Sequence, residues 1–66
     1  MKFNIGDIVS HSAYKNKKYK VISMKEYLKF YPMPKYVENI YNVTFLQSLT
    51  NPKDMGYTSN QRWWVL

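Results

Sequence analysis

Phe3-Asn4-Ile5-Gly6-Asp7-Ile8-Val9-Ser10, followed about a dozen residues later by Tyr19-Lys20-Val21-Ile22-Ser23-Met24, is the part of the chain that decides the fold. Ile5-Gly6-Asp7 is a turn signal: glycine reaches positive φ without a steric cost, and an aspartate can bond the backbone just beyond itself. Ile8-Val9 opens a β-branched run, so a short strand is expected from Asp7 to about His11. The second stretch is a strand by composition. Between them Tyr14-Lys15-Asn16-Lys17-Lys18 is polar, and Asn16 can serve as a turn residue. The pair reads as two strands joined by a basic loop of about six residues.

Downstream, residues 24–31 fit two patterns. Met24, Leu28 and Tyr31 stand at i, i+4 and i+7, the spacing of one short helix face. Met24, Glu26, Leu28 and Phe30 also alternate with Lys25, Tyr27, Lys29 and Tyr31, as in a strand. The tyrosines and Phe30 favour the pleated alternative. Tyr31-Pro32-Met33-Pro34 ends either one, because proline has no N–H to donate and pushes its predecessor towards extended geometry. Tyr36 to Leu49 carries a strong strand pattern. Tyr41, Val43 and Phe45 fall on one face, and Ile40, Asn42, Thr44 and Leu46 on the other. Both faces are partly apolar, which predicts a central strand. Thr50 to Gly56 reads as a loop, and Tyr57 to Leu66 as a final strand.

There is no internal repeat, low-complexity tract or linker. The chain has 66 residues, enough for one domain spanning 1–66. So small a chain has a marginal core and commonly relies on disulfides or a metal. It contains no cysteine and a single histidine, His11, which removes disulfides, cysteine-based zinc sites and His-rich metal sites. Seven Tyr, three Phe and two Trp remain to build the core by packing alone. Four or five short antiparallel strands with polar turns point to a mainly β protein, a small barrel with at most one short helix near 24–31.

The Ile5-Gly6-Asp7-Ile8-Val9 turn and strand, with Tyr19-Lys20-Val21-Ile22 returning beside it, resembles the opening of small SH3-like barrels of the KOW and Tudor-like type. Many very small phage and bacterial proteins share that opening. The resemblance spans about residues 3–24, and the first hairpin here lacks the glycines of the KOW pattern. It implies a fold used mainly to bind RNA, DNA or peptides.

Composition also narrows the chemistry. With no cysteine, a nucleophilic triad would need His11, which lies in Ser10-His11-Ser12. Neighbouring strand residues point to opposite faces, so Ser10 and His11 are poorly placed to share a hydrogen bond. The four acids, Asp7, Glu26, Glu38 and Asp54, are widely spaced, and no phosphate-cradling glycine motif is present. A metal-free ribonuclease built from His11, lysines and Arg62 is the nearest enzyme the residues suggest. The expectation is a protein that binds rather than catalyses, with no cofactor and no metal. No apolar run approaches the ~18 residues of a membrane span, and Met1 to Ser10 lacks the features of a signal peptide. A soluble cytoplasmic protein is expected, as monomer or weak homodimer.

Ten Lys and Arg against four acids give a net charge of +6. The basic residues concentrate between 11 and 35, where tyrosines interleave with them. Lysines attract phosphates, and exposed rings stack on unpaired bases. Lys15, Lys17, Lys18, Lys20, Tyr14, Tyr19, Arg62 and Trp64 are therefore the candidate nucleic-acid-binding residues, for RNA or single-stranded DNA. Of Trp63 and Trp64, alternation sends one ring inward and the other outward. The alternative is a protein-interaction module, such as a phage-encoded modulator of a host enzyme. In it an acidic host surface meets the lysines while Tyr31, Met33 and Trp64 anchor the contact. Against both stands the plain reading of lysines as a solvated surface and tyrosines as core.

Overall fold

The turn at Asn4–Asp7 starts the sheet. In the computed structural model, which describes residues 3–14, 16–35, 42–59 and 62–66, Gly6 takes φ +98°. The Asp7 amide donates to the Asn4 carbonyl at 3.0 Å, and the Asn4 amide donates to Asp7 Oδ2 at 2.9 Å. Gly6 N–H donates to the Val21 carbonyl, and Val21 N–H to the Asp7 carbonyl, both at 2.8 Å. Two residues thus oppose one, a bulge with glycine in its first position, which bends the strand as it enters the sheet. No heavy atom lies within 4 Å of where a Gly6 Cβ would stand, so the need for glycine is conformational. Gly6→Ala is expected to cost about 1–2 kcal/mol and to lower Tm by about 5–15 °C in a thermal melt.

Among the described residues, five antiparallel strands form one sheet in the order β4-β3-β2-β1-β5. They are β1 (Ile8–His11), β2 (Tyr19–Ile22), β3 (Thr44–Ser48), β4 (Met55–Thr58) and β5 (Trp63–Val65). Among the described residues one α-helix, α1 (Met24–Leu28), lies between β2 and β3. The architecture fits a small SH3-like β fold, and β3 is a central strand as its two apolar faces required. The edge strands β4 and β5 meet at one corner, where Trp63 Nε1 donates to Thr58 Oγ1 at 3.3 Å.

Cross-strand register assigns every strand residue to a face, because directly opposed residues point the same way. Val9 opposes Tyr19 and Val65, Val21 opposes Leu46, and His11 opposes Trp63. This is the inner face. Its core is Val9, Val21, Leu46 and Trp63, with Phe3 and Tyr19 packed against it. The other face carries Ile8, Lys20, Ile22, Phe45, Met55 and Tyr57. Half of it forms a second core of Ile22, Phe45 and Tyr27, supported by Tyr31, Val43 and Met55.

Residues 24–31 correct the strand preference. Ser23 Oγ accepts the Glu26 amide at 3.1 Å, an N-cap that starts the helix directly after β2. The Ser23-x-x-Glu26 spacing is the cap signal that the alternation masked. The buried side also differs from Met24, Leu28 and Tyr31. Tyr27 faces the sheet and stacks on Tyr31 with centroids 5.2 Å apart, while Met24 and Leu28 are exposed. Tyr31 Oη donates to the Lys53 carbonyl at 2.6 Å and so ties the end of this segment to the β3–β4 connection.

Two more boundaries differ from expectation. The loop after β3 closes within Asn51–Asp54, where the Asp54 amide donates to the Asn51 carbonyl at 2.9 Å. Met55 and Gly56, expected in the loop, then pair with Gln47 and Leu46. Pairing with a central strand overrides the local glycine cue. The stretch expected as one final strand, Tyr57–Leu66, contains the end of β4 and all of β5. Of the long strand expected over Tyr36–Leu49, Thr44–Ser48 is observed and Tyr36–Tyr41 lies outside the described residues.

Burial, with smaller contributions from Tyr57 and Tyr31, raises the Tyr27 phenol above its ordinary value of 10.0. The unfolded chain therefore loses this proton first as pH climbs, and rising pH favours unfolding. The stabilisation is whole below pH 10 and is lost as pH rises through the folded value. Urea unfolding across alkaline pH is expected to show a decline in wild type that is shallower in Tyr27→Phe.

Candidate nucleic-acid interface

Among the described residues no helix lies over the second half of the outer face, on β2, β1 and β5. Its residues follow from the register. Ile8 opposes Lys20, Lys20 opposes Gln47, and Ser10 opposes Trp64. The pairing runs past the strand ends: the Leu66 amide donates to the Ile8 carbonyl at 2.8 Å, and the Leu49 amide to the Lys18 carbonyl at 3.2 Å. One row across the sheet is Gln47, Lys20, Ile8 and Leu66. The next is Leu49, Lys18, Ser10 and Trp64.

Three of the expected residues, Lys18, Lys20 and Trp64, therefore share one face, and all three are exposed. Trp64 is 41% exposed, whereas Ser10 beside it is 4% exposed although its side chain points outward. Ser10 Oγ donates to the Lys17 carbonyl at 3.4 Å, so the β1–β2 loop folds down beside this row. Lys17 is exposed on that loop. Two successive turns hold the loop, with the Tyr14 amide on the His11 carbonyl at 3.0 Å and the Lys17 amide on the Tyr14 carbonyl at 2.9 Å.

Two of the expected residues, Tyr19 and Tyr14, lie on the inner side of the sheet instead. Tyr19 faces inward and meets Trp63 edge-on at 5.4 Å, so it presents no free ring for stacking. Tyr14 is half exposed, but it lies against His11 at 5.2 Å, on the inner side of the sheet. Arg62 is exposed immediately before β5. Lys15 lies outside the described residues. Of the protein-anchor set, Tyr31 is stacked on Tyr27 and its hydroxyl is engaged, and Met33 is exposed beyond the helix. Both belong to the helix-covered end, so they do not form one patch with Trp64. Leu49, Ile8 and Leu66 were missed. Alternation from Trp64 could have found Leu66, but Leu49 and Ile8 join the patch only through register.

Among the described residues no acid lies on these rows. Asp7 is bound to the Asn4 turn, Glu26 pairs with Lys29 at 3.1 Å on the helix, and Asp54 sits in the β3–β4 connection. His11 is buried, with Nδ1 accepting the Ala13 amide at 2.9 Å and its ring 4.9 Å from Trp63. It is on the face opposite Ser10, and the Ser10 hydroxyl bonds a backbone carbonyl instead. The described residues contain no group of three or more His, Cys, Asp or Glu that could hold a metal ion. No helix among them is long and apolar enough to cross a membrane. Compared with known proteins, the chain matches no family model, no curated protein and no solved structure.

Proposed function

We propose that this chain is a non-catalytic binding protein that holds RNA or single-stranded DNA on the outer face of β2, β1 and β5. The observation that supports the reading is the convergence of Lys18, Lys20 and Trp64 on one sheet face over which the described residues place no helix and no acid. Cations and a ring in one plane suit a charged backbone bearing flat bases. The net charge of +6 draws such a ligand in from a distance. Fluorescence anisotropy with mixed-sequence RNA and DNA strands at low salt tests it. Binding is expected, and Lys18→Gln/Lys20→Gln is expected to weaken it about tenfold or more. Absent binding, or binding indifferent to both substitutions, overturns the reading.

A second reading rests on Leu49 and Leu66, which are exposed on the same rows. Apolar side chains beside two lysines also suit an acidic protein surface, as in a module that modulates a host enzyme. A stoichiometric partner that survives nuclease treatment and is lost from the Lys18→Gln/Lys20→Gln variant supports this reading. Capture that ignores those substitutions removes it.

A further inference from the structure

Resting on the nucleic-acid reading above, we propose that the face takes an unpaired strand whose backbone follows β2 and whose bases reach across β1, one of them stacking on Trp64, with no base-specific contact.

The direction follows from spacing. Lys18 and Lys20 are two residues apart on one side of β2, about 7 Å along the strand. That suits neighbouring phosphates of an extended nucleic-acid backbone. Trp64 stands two strands away, about 10 Å across the sheet, the span between a phosphate and the far part of its base. Ser10, which opposes Trp64, is small and almost fully buried. That burial marks where the β1–β2 loop folds down on the row, so the bases cross β1 beside Ile8, in the row of Lys20, to reach the indole.

Strandedness follows from the shape of the site. A duplex hides its base faces in the stack, so a ring lying on a sheet surface finds nothing to stack against. Groove readers insert a helix or a two-stranded ribbon. Among the described residues the α-helix is α1, five residues long, and it buries Tyr27 against the sheet.

Indifference to sequence follows from the hydrogen-bonding groups. Base edges are read by side chains such as Arg, Lys, Asn, Gln and Glu, and here Lys18 and Lys20 are taken by the phosphates. The amide on these rows belongs to Gln47, and its Nε2 already donates to the Pro52 carbonyl at 2.9 Å. The hydroxyl belongs to Ser10, which is buried on the Lys17 carbonyl. Ile8, Leu49 and Leu66 have no polar group to offer. Arg62 stands one row beyond Trp64, so on these two rows phosphate attraction and stacking remain, and neither distinguishes one base edge from another.

The test uses the full chain and a labelled thymidylate strand of about twelve nucleotides, titrated by anisotropy over a range of salt. A duplex of the same length and a strand of mixed sequence serve as comparisons. The thymidylate and mixed strands are expected to bind within about threefold of each other, and the duplex about tenfold more weakly. Two phosphate contacts give a slope of log K on log salt of about −1.4, and Lys18→Gln or Lys20→Gln should each remove about 0.7 from it. Lys53→Gln, on the β3–β4 turn, should leave the slope unchanged. Trp64→Ala should weaken binding about five- to a hundredfold with the slope intact, and Trp64→Phe should recover most of the loss.

Equal or tighter duplex binding overturns this inference and leaves the nucleic-acid reading standing. So does a strong preference for one strand sequence, or a slope that Lys53→Gln flattens as much as Lys18→Gln. Failure of every nucleic acid to bind brings down the reading itself.

Discussion

Trp63→Ala is expected to unfold a large part of the population at 25 °C, while Trp64→Ala leaves the fold standing. Trp63 is 7% exposed and packs with Val9, Val21 and Leu46 in the inner core. Its ring meets His11 at 4.9 Å and Tyr19 at 5.4 Å. Its Nε1 joins β5 to Thr58 at the corner where the edge strands meet. Emptying such a site costs about 3–5 kcal/mol. A domain of this size has roughly 3–10 kcal/mol in all, so one ring accounts for a large share of it. Trp64 is 41% exposed and belongs to neither core, so its removal is expected to cost less, about 1–2 kcal/mol. Urea unfolding of the two variants, followed by far-ultraviolet circular dichroism, makes the comparison. Similar midpoints for both would contradict the inward and outward assignment on which the binding face depends.

Phe45→Ala is expected to cost a similar amount, about 3–5 kcal/mol, although Phe45 lies on the other side of the sheet. It is 5% exposed between Ile22 and Tyr27. Its ring is 4.9 Å from Tyr27 and 6.4 Å from Tyr57. The helix has five residues, too few to persist by propensity, so its order comes from the contact of Tyr27 with this side chain. Hydrogen exchange should therefore show the amides of Tyr27 and Tyr31 losing protection first, ahead of those in β1 and β5. Phe45→Leu keeps most of the apolar volume and should recover much of the loss. If Phe45→Ala left those two amides protected, the outer core would not be what holds the helix.

The two predictions also show why so short a chain folds without a staple. The sheet is packed on its inner face and on half of its outer face, so β2 and β3 contribute apolar side chains in two directions. Val9 and Val21 serve the inner core, while Ile22 and Phe45 serve the outer one. Ser48, buried between β2 and the β3–β4 connection, accepts the amides of Thr50 and Asn51 at 3.3 Å each. The turn beyond it is thereby braced by side-chain bonds.

Local chemistry carried a good part of this into the sequence. Gly6 and Asp7 declared the first turn, since few other residue pairs satisfy a positive φ followed by a backbone bond. Ile8–Val9, Tyr19–Ile22 and Thr44–Ser48 declared strands through β-branched and aromatic residues in alternation. The adjacency of Trp63 and Trp64 already meant one ring in and one out. The helix was less legible, because Tyr27 and Phe30 carry strand preferences that only the Ser23 cap and the contact with Phe45 outweigh. Gly56 read as loop because its place beside Leu46 depends on a partner strand ten residues earlier.

The binding face belongs to the same divide. Residue types and their order set the excess of lysine, the missing nucleophile and the turn positions, because these properties reside in single residues and their nearest neighbours. Whether Lys18, Lys20 and Trp64 meet, and whether Tyr19 turns away from them, was decided by strand order and register. Those depend on which distant strands pair, and a shift of one residue would have sent each of these side chains to the opposite face.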